Sequence, residues 1–550
     1  MLLVSFTVGI QVSDAANGTW LGTSGGNWST TTLWTGGTVA DGSGSVANFD
    51  ANNINGNYTI TVNAARTIGY LEFGDTSGTT IRTFTLNNSG GSVLTLATPT
   101  GVPGITVQNV GPGMNITISA PLGGTQGVGI TNLDTSSSLT LSSSANTYTG
   151  DTIISGPGTV TLGNAAFLPG ATRAGNLYVY GTLNLAGLSP SINGLYGSGT
   201  VTKSTAGTTT LTVGNNNNDG DYSGVIANTT GTLALTKTGT GTQILSGNNT
   251  YSGQTTVSAG ALNIRHANAL GGTGTGTTVS SGAALQIQNN ITTAAEALTL
   301  NGSGVANSGA LRNMSGNNTY GGNITLASAS RINSDSGTLT LSGTVGGNFA
   351  KTFGGAGNIT ANGAINGTAS VTKDGGGTLT LNGAGNYSGG TVLSGGTISM
   401  GADNALGTGG FNFAGGLLKH NGHTDSSIGV LTLSATSTLD LSGGGSGDLT
   451  FSSATYSGGT LTILGWTANP GVAGASDDKI FITGSVDANF LANTVFDIGG
   501  TLYFADMEGT ELIAGVTAVP EPVEWALIIF AALGGFMKFI LPRFRRTPVA

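Results

Sequence analysis

The chain has 550 residues, of which 97 are glycine and only 7% are charged, far below the roughly 25% of an ordinary globular domain. A net charge of −9 and a sequence pI near 4.7 argue against a nucleic-acid partner, because binding to phosphates needs a basic surface. Cysteine is absent, which excludes disulfides, thiol catalysis and cysteine-ligated zinc or iron–sulfur centres.

The first 16 residues predict a truncated signal peptide. A mostly apolar run extends from Leu2 to Ile10, and Ser-Asp-Ala at 13–15 is the small-x-small pattern that signal peptidases cleave. The basic segment that usually precedes such a run is missing, so a chance apolar strand is the alternative interpretation.

Residues 17–122 are predicted to form an N-terminal cap and the first coils of a repetitive fold. Trp20, Trp28 and Trp34 are separated by even offsets, which places them on one face of an extended chain. Bulky aromatic side chains at this point suit a cap over the open end of a stack of strands. Exposed indole rings that stack on carbohydrate are the alternative.

The same region contains a weak hydrolase-like pattern. Gly22 to Gly26 satisfies G-x-S-x-G around Ser24, but a chain this rich in glycine and serine produces such matches by chance. The chain has three histidines, and nothing in the pattern brings one to Ser24 as a triad would require. The sequence therefore predicts no catalytic residue, no cofactor and no enzyme activity.

A repeated unit fills residues 123–460. Three segments align almost without gaps: SLTLSSSANTYTGDTIISGPGTVTL (138–162), TQILSGNNTYSGQTTVSAGALNI (242–264) and TLTLNGAGNYSGGTVLSGGTISM (378–400). Tyr251 and Tyr387 are each preceded by a lysine and followed by the leucine of an Asn-Ala-Leu-Gly sequence at equal offsets. Tyr148 fits with a slip of one residue, and Tyr320 marks a degenerate copy.

The repeat predicts a parallel β-helix. Apolar residues alternate with Thr, Ser or Asn in short strands separated by glycine-containing turns, and no helix interrupts them. Inward Leu, Ile and Val would stack coil on coil, with outward Thr and Ser in ladders and the paired Asn of GNNTY laddering or adopting a left-handed conformation. A string of antiparallel β-sandwiches is the alternative, but its strands would not share corner residues at fixed offsets.

Two short polar patterns resemble parts of metal sites. His420 and His423 could present two imidazoles to a metal, but no third ligand is evident. NNNNDGD at 215–221 is similar to the start of a calcium loop, although its twelfth position is Ile226 instead of a bidentate Glu. Ordinary turns are the favoured interpretation of both, so no metal ligand is predicted.

The C-terminal part is predicted to contain a closing cap and stalk (461–519) and a sorting segment (520–546). An apolar stretch at 523–541 is long enough, at about 1.5 Å per residue, to form one transmembrane helix. Basic residues after it predict a cytoplasmic end. The predicted sorting residues are Pro520, Glu521, Pro522, Arg543, Arg545 and Arg546.

This order of Pro-Glu-Pro, apolar helix and arginine cluster resembles the PEP-CTERM sorting domain of Gram-negative surface proteins. The resemblance implies transient anchoring in the inner membrane and removal of the helix by an exosortase, a membrane-embedded sorting enzyme. A plain tail anchor is the alternative.

The Leu-Thr-Lys…Asn-Asn-Thr-Tyr-Ser-Gly pattern of Leu235 to Leu262 resembles the autotransporter-associated β-strand repeat. The resemblance extends over roughly residues 123–410. It implies a right-handed, single-stranded parallel β-helix of the pectin-lyase-like type, and repeats that assist passage of a passenger domain to the cell surface. The sorting pattern favours delivery by the sorting route over self-translocation.

Together these patterns predict an exported structural or adhesive protein of the cell surface. Its Thr, Ser and Asn ladders would contact exopolysaccharide through many weak hydrogen bonds. A polysaccharide lyase or hydrolase on the same scaffold, or an ice-binding Thr-rich face, are the alternatives. The enzyme would need a charged cluster in one groove, and the ice-binding face would need a flat, uninterrupted Thr ladder.

Overall fold

The computed structural model describes residues 15–22, 25–50, 56–75, 82–109, 113–170, 172–473 and 478–519. These residues form about 18 turns of a parallel β-solenoid of the right-handed type. The predicted all-β solenoid is confirmed, and the alternative of antiparallel sandwiches is wrong because neighbouring coils pair in parallel. The chain divides into two compact units, Met1–Asn366 and Gly367–Ala550. The domain boundaries inferred from sequence stay predictions.

The strands of the first unit are short because each coil turns after a few residues. They are β1 (Gly18–Thr19), β2 (Gly26–Asn27), β3 (Val46–Phe49), β4 (Tyr58–Val62), β5 (Arg66–Ile68), β6 (Tyr70–Phe73), β7 (Arg82–Asn88), β8 (Leu94–Leu96), β9 (Gly104–Val107), β10 (Met114–Ile118), β11 (Leu122–Gly123), β12 (Val128–Asn132), β13 (Ser138–Leu141), β14 (Thr152–Ser155), β15 (Thr159–Leu162), β16 (Leu177–Val179), β17 (Thr182–Asn184), β18 (Leu195–Tyr196) and β19 (Thr200–Thr202). The unit continues with β20 (Thr208–Val213), β21 (Gly220–Tyr222), β22 (Val225–Ile226), β23 (Thr232–Lys237), β24 (Thr242–Leu245), β25 (Thr255–Val257), β26 (Ala261–Ile264), β27 (Thr277–Val279), β28 (Ala284–Gln288), β29 (Leu298–Gly302), β30 (Leu311–Ser315), β31 (Asn318–Tyr320), β32 (Ile324–Ser334), β33 (Thr338–Leu341), β34 (Val345–Gly346), β35 (Lys351–Gly354), β36 (Asn358–Ala361) and β37 (Ile365–Gly367).

Parallel ladders join equivalent strands of successive coils. One sheet of eight strands begins with β1 and β3 and ends with β16 and β18, while a second sheet of nine strands begins with β2 and β4 and ends with β19 and β22. From β20 onward the pairing continues in the same way, as in β20 with β23 and β23 with β25. A coil contains 24 residues where β20 pairs with β23 and 20 where β33 pairs with β36, in the range expected of solenoid repeats.

The alternation of apolar and polar residues sets the two faces of each strand. Inward side chains form a buried column that runs through Tyr58, Phe84, Ile116, Leu139, Val160, Leu183, Val201 and Ile226. The next outward positions form a ladder of Thr59, Thr85, Thr117, Thr140, Thr161, Asn184 and Thr202. Because side chains alternate with a period of two, register between coils fixes both columns at once.

The three N-terminal tryptophans form a packed cluster. Trp20, Trp28 and Trp34 are at most 2% exposed, and the ring of Trp34 lies 5.1 Å from Trp20 and 5.2 Å from Trp28. All three rings also contact Phe49 in β3. Two 3-10 turns, Thr31–Leu33 and Thr35–Gly37, bring the rings together. This burial fits an apolar cap and contradicts an exposed carbohydrate platform at these residues.

The second unit has the same coil pattern followed by a different end. Its elements are β38 (Val371–Lys373), β39 (Thr378–Leu381), β40 (Gly385–Tyr387), β41 (Thr391–Leu393), β42 (Thr397–Met400), β43 (Phe411–Phe413), β44 (Gly416–Lys419), β45 (Asp425–Leu433), β46 (Ser437–Asp440), β47 (Asp448–Tyr456), β48 (Leu461–Leu464), β49 (Lys479–Ile482), α1 (Ala488–Ala492), β50 (Thr494–Ile498), β51 (Thr501–Glu508) and β52 (Glu511–Ala518). The ladders up to β50 are parallel, as in β41 with β43 and β48 with β50.

The last strands reverse direction. β50 with β51, β51 with β52 and β49 with β52 are antiparallel pairs. Residues 508–519, the last part of the predicted cap and stalk, contain β52, whose Leu512 and Ala514 side chains are buried. The strand edges at this end of the second unit are therefore paired by a hairpin.

Two predicted segments lie outside the described residues: positions 1–14 of the signal peptide (1–16) and the transmembrane helix (523–541). None of the helices in the part of the chain that the structure describes has the length and apolar character needed to cross a membrane.

Candidate functional site

Two of the repeats bury a lysine at a corner. Lys237 ends β23 at an inward position, and its side chain is fully buried. Its Nζ donates hydrogen bonds to the carbonyl oxygens of Thr238 and Gly239 at 2.5 and 2.9 Å. A third acceptor, the Ala259 carbonyl at 3.3 Å, belongs to the next coil. Burial lowers the pKa of Lys237 to about 8, so the ammonium is still mostly charged at neutral pH.

The same arrangement recurs at Lys373. Its Nζ donates to the carbonyls of Asp374 at 2.6 Å, Gly375 at 2.9 Å and, in the next coil, Gly395 at 3.3 Å. Gly396 completes this corner with a φ of 65°, and a Cβ there would collide with the carbonyl oxygens of the preceding coil. The lysine therefore fastens two successive coils through charged hydrogen bonds.

The tyrosine of the repeat binds a threonine four residues later. The hydroxyls of Tyr251 and Thr255 are 2.6 Å apart, and those of Tyr387 and Thr391 are 2.7 Å apart. Thr391 Oγ1 donates to the carbonyl of Leu406 at 2.9 Å, so it accepts the proton of Tyr387. This chain of hydrogen bonds explains why the Tyr and the Asn-Ala-Leu-Gly sequence occur at a fixed offset.

The second asparagine of GNNTY joins three coils. Asn249 Oδ1 accepts the backbone N–H of Ile226 at 2.8 Å, and its Nδ2 donates to the carbonyl of Ala269 at 2.7 Å. Asn248 Oδ1 accepts from Asn268 Nδ2 at 2.9 Å, which is a coil-to-coil asparagine contact of the predicted kind. Neither residue of this pair has a positive φ, so of the two predicted alternatives the pair adopts the coil-to-coil ladder and not the left-handed conformation.

The histidine pair does not form a shared site. His420 is fully buried with its Nδ1 3.6 Å from Asp478 Oδ1, whereas His423 Nδ1 lies 3.2 Å from Asp403 Oδ1. Burial lowers the pKa of His420. Among the residues that the structure describes, no group of three or more His, Asp or Glu is placed to hold a metal ion.

The asparagine-rich turn at 215–221 holds coils together. Asn217 Oδ1 accepts the backbone N–H of Thr240 at 2.9 Å, and Asp219 Oδ1 accepts that of Thr242 at 2.6 Å. These oxygens are thus used by the next coil. Ser24 and the six predicted sorting residues, from Pro520 to Arg546, lie outside the described residues.

An outward cleft of tyrosines is a site that the sequence reasoning missed. It has a volume of about 510 Å³ and is lined by Tyr178, Tyr180, Tyr196, Gly197, Ser198, Asp221, Ser223, Ser246 and Arg265. Tyr178 in β16 is paired with Tyr196 in β18, and their rings stack with centroids 4.8 Å apart and planes 16° apart. Tyr180 is 55% exposed. The available signal was the alternation of tyrosine in LYVYGTL (177–183) and its return in LYG (195–197).

Nearby carboxylates act on the tyrosines of this cleft. Burial, followed by the charge of Asp151, raises the pKa of Tyr178. Burial and then the charges of Asp219, Asp151 and Asp221 raise the pKa of Tyr196. Both tyrosines therefore keep their hydroxyl protons and can donate hydrogen bonds throughout the physiological pH range.

The repeat corners can be compared with known families. A sequence model described as the passenger-associated-transport-repeat matches residues 136–162, 235–264 and 371–400. These three segments of the chain are similar to that repeat. The three transport repeats contain Tyr148, Tyr251 and Tyr387 with their threonine partners, and two of them contain the corner lysines. The degenerate copy at Tyr320 lies outside the matched residues.

Part of the chain is also similar to a known protein. The adhesin BmaC autotransporter of Brucella suis biovar 1 (strain 1330) is 28% identical over 359 residues. The similarity covers 61% of this chain but only 9% of that adhesin. No solved structure matches the chain.

Proposed function

We propose that this chain is an exported cell-surface protein that acts as a structural, adhesive β-solenoid without catalysis. The observation that carries the proposal is the placement of three transport repeats in stacked coils whose outward positions are polar ladders. Similarity to part of an autotransporter adhesin supports the same conclusion.

The proposal includes a route and a partner. An exosortase-type enzyme would recognise the Pro-Glu-Pro, apolar helix and arginine pattern of residues 520–546 after transient anchoring in the inner membrane. Exopolysaccharide would be the partner at the surface, because outward Thr rows such as Thr117, Thr140 and Thr161 offer donors and acceptors at every coil.

The experiment is mass spectrometry of the protein from surface, membrane and medium fractions of cells with and without the sorting enzyme. We expect the protein in the surface fraction to have lost the segment after Pro522. In cells without the sorting enzyme, we expect uncleaved protein to accumulate in the membrane fraction. A matched variant, Glu521→Ala, should behave like loss of the enzyme, whereas Glu508→Ala should be processed normally.

If normal cells contain only protein with an intact C-terminus in the inner membrane, the proposal that this protein is displayed at the surface is overturned. Cleavage that continues without the sorting enzyme would overturn the exosortase route alone.

A further inference from the structure

The tyrosine cleft presents aromatic faces to solvent. Tyr178 and Tyr196 occupy equivalent outward positions on neighbouring coils, and their centroid distance of 4.8 Å equals the usual spacing between paired strands. Since the rings are stacked at this spacing, their planes lie across the direction in which coils stack. One face of Tyr196 therefore points toward the following coil.

The following coil leaves space over that face. Gly197 pairs with Tyr222, so Asp221 stands at the position next to Tyr196 in the ladder. Asp221 is a short, exposed side chain, and the neighbouring Gly197, Ser198 and Ser223 are small as well. The space above the ring is thus bordered by hydroxyl and carboxylate groups, within a volume typical of small-ligand sites.

Tyr180 extends the aromatic surface sideways. It follows Tyr178 by two residues, just after β16 ends, and both side chains line the cleft. At 55% exposure, Tyr180 leaves more than half of its surface in water. Flat aromatic faces beside polar groups are suited to a ring that is apolar on its face and rich in hydroxyls on its edge.

The charged groups around the cleft determine which class of sugar it can bind. Asp221 lines it, and Asp151 and Asp219 act on its tyrosines, which together disfavour the carboxylate of a uronic acid. The guanidinium of Arg265 in the wall disfavours the ammonium of an amino sugar. A neutral sugar avoids both penalties, while its neighbouring hydroxyls can donate to a carboxylate.

We propose that the cleft of Tyr178, Tyr180 and Tyr196 binds neutral hexopyranose units of a polysaccharide, with a sugar ring on the Tyr196 face and its hydroxyls on Asp221. This proposal rests on the proposed function and makes it more specific, because it names the class of sugar and one binding site. The outward ladders alone predict only weak contacts spread over many coils. Asp221 is the one carboxylate among the described lining residues, and hydrolysis of a glycosidic bond ordinarily needs two. The cleft is a binding site.

The experiment measures retention of the purified full-length chain on immobilised dextran, mannan, galactan and polygalacturonate. We expect binding to at least one of the three neutral polysaccharides and weaker binding to polygalacturonate. Tyr196→Ala should weaken the neutral binding by about tenfold, since one aromatic contact and its hydroxyl are removed together. Tyr196→Phe keeps the ring and should retain most of the binding.

The matched control is Tyr70→Ala. Tyr70 belongs to the same outward column, through Gly104, Gly129 and Ile153, but it lies outside the cleft. Its removal should leave binding unchanged. Circular dichroism of all variants checks that the coils are intact, and Tyr180→Ala provides a second, more exposed test of the same surface.

Three results would overturn the proposal: no retention on any neutral polysaccharide, retention on polygalacturonate alone, or equal retention of the wild-type chain, Tyr196→Ala and Tyr180→Ala. Release of reducing sugar from a neutral polysaccharide would show an enzyme instead of a binding site. Because the chain is purified, a failure here is distinct from a failure of surface display, which the cell fractions report.

Discussion

At the scale of single residues, the fold depends on polar side chains placed where a strand pattern predicts apolar ones. Lys237 follows Leu233 and Leu235 on the inward side of β23. Burying an ammonium is costly unless its protons have acceptors, and the glycine-containing corner and the next coil together provide three carbonyls. The lysine is therefore part of the core of its coil.

We predict that Lys237→Met destabilises the chain by about 2 to 3 kcal/mol, because carbonyls that accepted charged hydrogen bonds lose their donor. Urea unfolding followed by circular dichroism measures the loss. Lys419→Met is the control, since Lys419 is exposed at the end of β44 and should change the unfolding midpoint very little. Equal midpoints for both variants would contradict the buried role of Lys237.

A second residue-scale prediction concerns Glu296. Its side chain accepts a hydrogen bond from Thr277 Oγ1 at 2.6 Å, and burial raises its pKa from 4.5 to about 7. The folded chain thus keeps a proton that the unfolded chain releases above pH 4.5. Stability from this group is complete below about pH 4.5 and is lost as pH rises through about 7, by about 3 kcal/mol.

Unfolding experiments at pH 4.5, 6, 7 and 8 should show this decline in the wild-type chain and a weaker one in Glu296→Gln. Glu508→Gln removes an exposed carboxylate and should leave the decline in place. A pH dependence that is identical in wild type and Glu296→Gln would rule out Glu296 as its source.

At the scale of elements, the coil is the unit that the chain repeats. Thr391 pairs with Phe411 and Thr397 with Leu417, so residues 391–410 make up one turn. Removing a whole turn brings β43 and β44 opposite β38 and β39 with the inward and outward faces preserved. Removing half a turn instead places a polar loop opposite β38 and β39.

We therefore predict that deletion of residues 391–410 leaves a folded chain, destabilised by about 1 to 2 kcal/mol because the Tyr387–Thr391 hydrogen bond is lost. Deletion of residues 391–400 should instead remove the ordered β structure around it. Circular dichroism and limited proteolysis distinguish the two. Similar protease resistance of both deletions would refute the coil as the unit of stability.

Much of this element pattern could be predicted from the sequence. Alternation of apolar and polar residues gave the strand faces, and the fixed offsets around Tyr251 and Tyr387 indicated stacked turns. The role of Lys237 could not be predicted, because a charged residue in a strand is ordinarily placed outward and its acceptors come from a corner and the next coil.

The tyrosine cleft was beyond sequence reasoning for a related reason. Tyr178 and Tyr196 become neighbours only through the register of β16 with β18, and the coil between them is shorter than the coil that joins Thr208 to Thr232. An aromatic pair in a shortened turn does not follow the repeat offset. The pairing of strands has to be known before the two rings can be placed together.

At the scale of the whole molecule, most contacts of a coil are with its immediate neighbours. Stability in such a chain is close to a sum of coil and neighbour terms, so local damage spreads only over a few coils. A single free energy of unfolding is then an incomplete description.

We predict that Lys237→Met speeds amide hydrogen exchange in β20 to β28 and leaves β3 to β10, in the same unit, unchanged. Exchange followed by mass spectrometry of peptides resolves the two regions. Equal acceleration in both regions would show that the unit unfolds as one cooperative body and would contradict neighbour-limited coupling.

The shared corners also have a consequence for heredity. The segments 235–264 and 371–400 place lysine, tyrosine and threonine at matching points of a turn. A crossover between the two corresponding stretches of DNA would join one half-turn to the other half of an equivalent turn, in frame. The product would be shorter but would keep its corner residues complete, so alleles of different length can each encode a chain that folds.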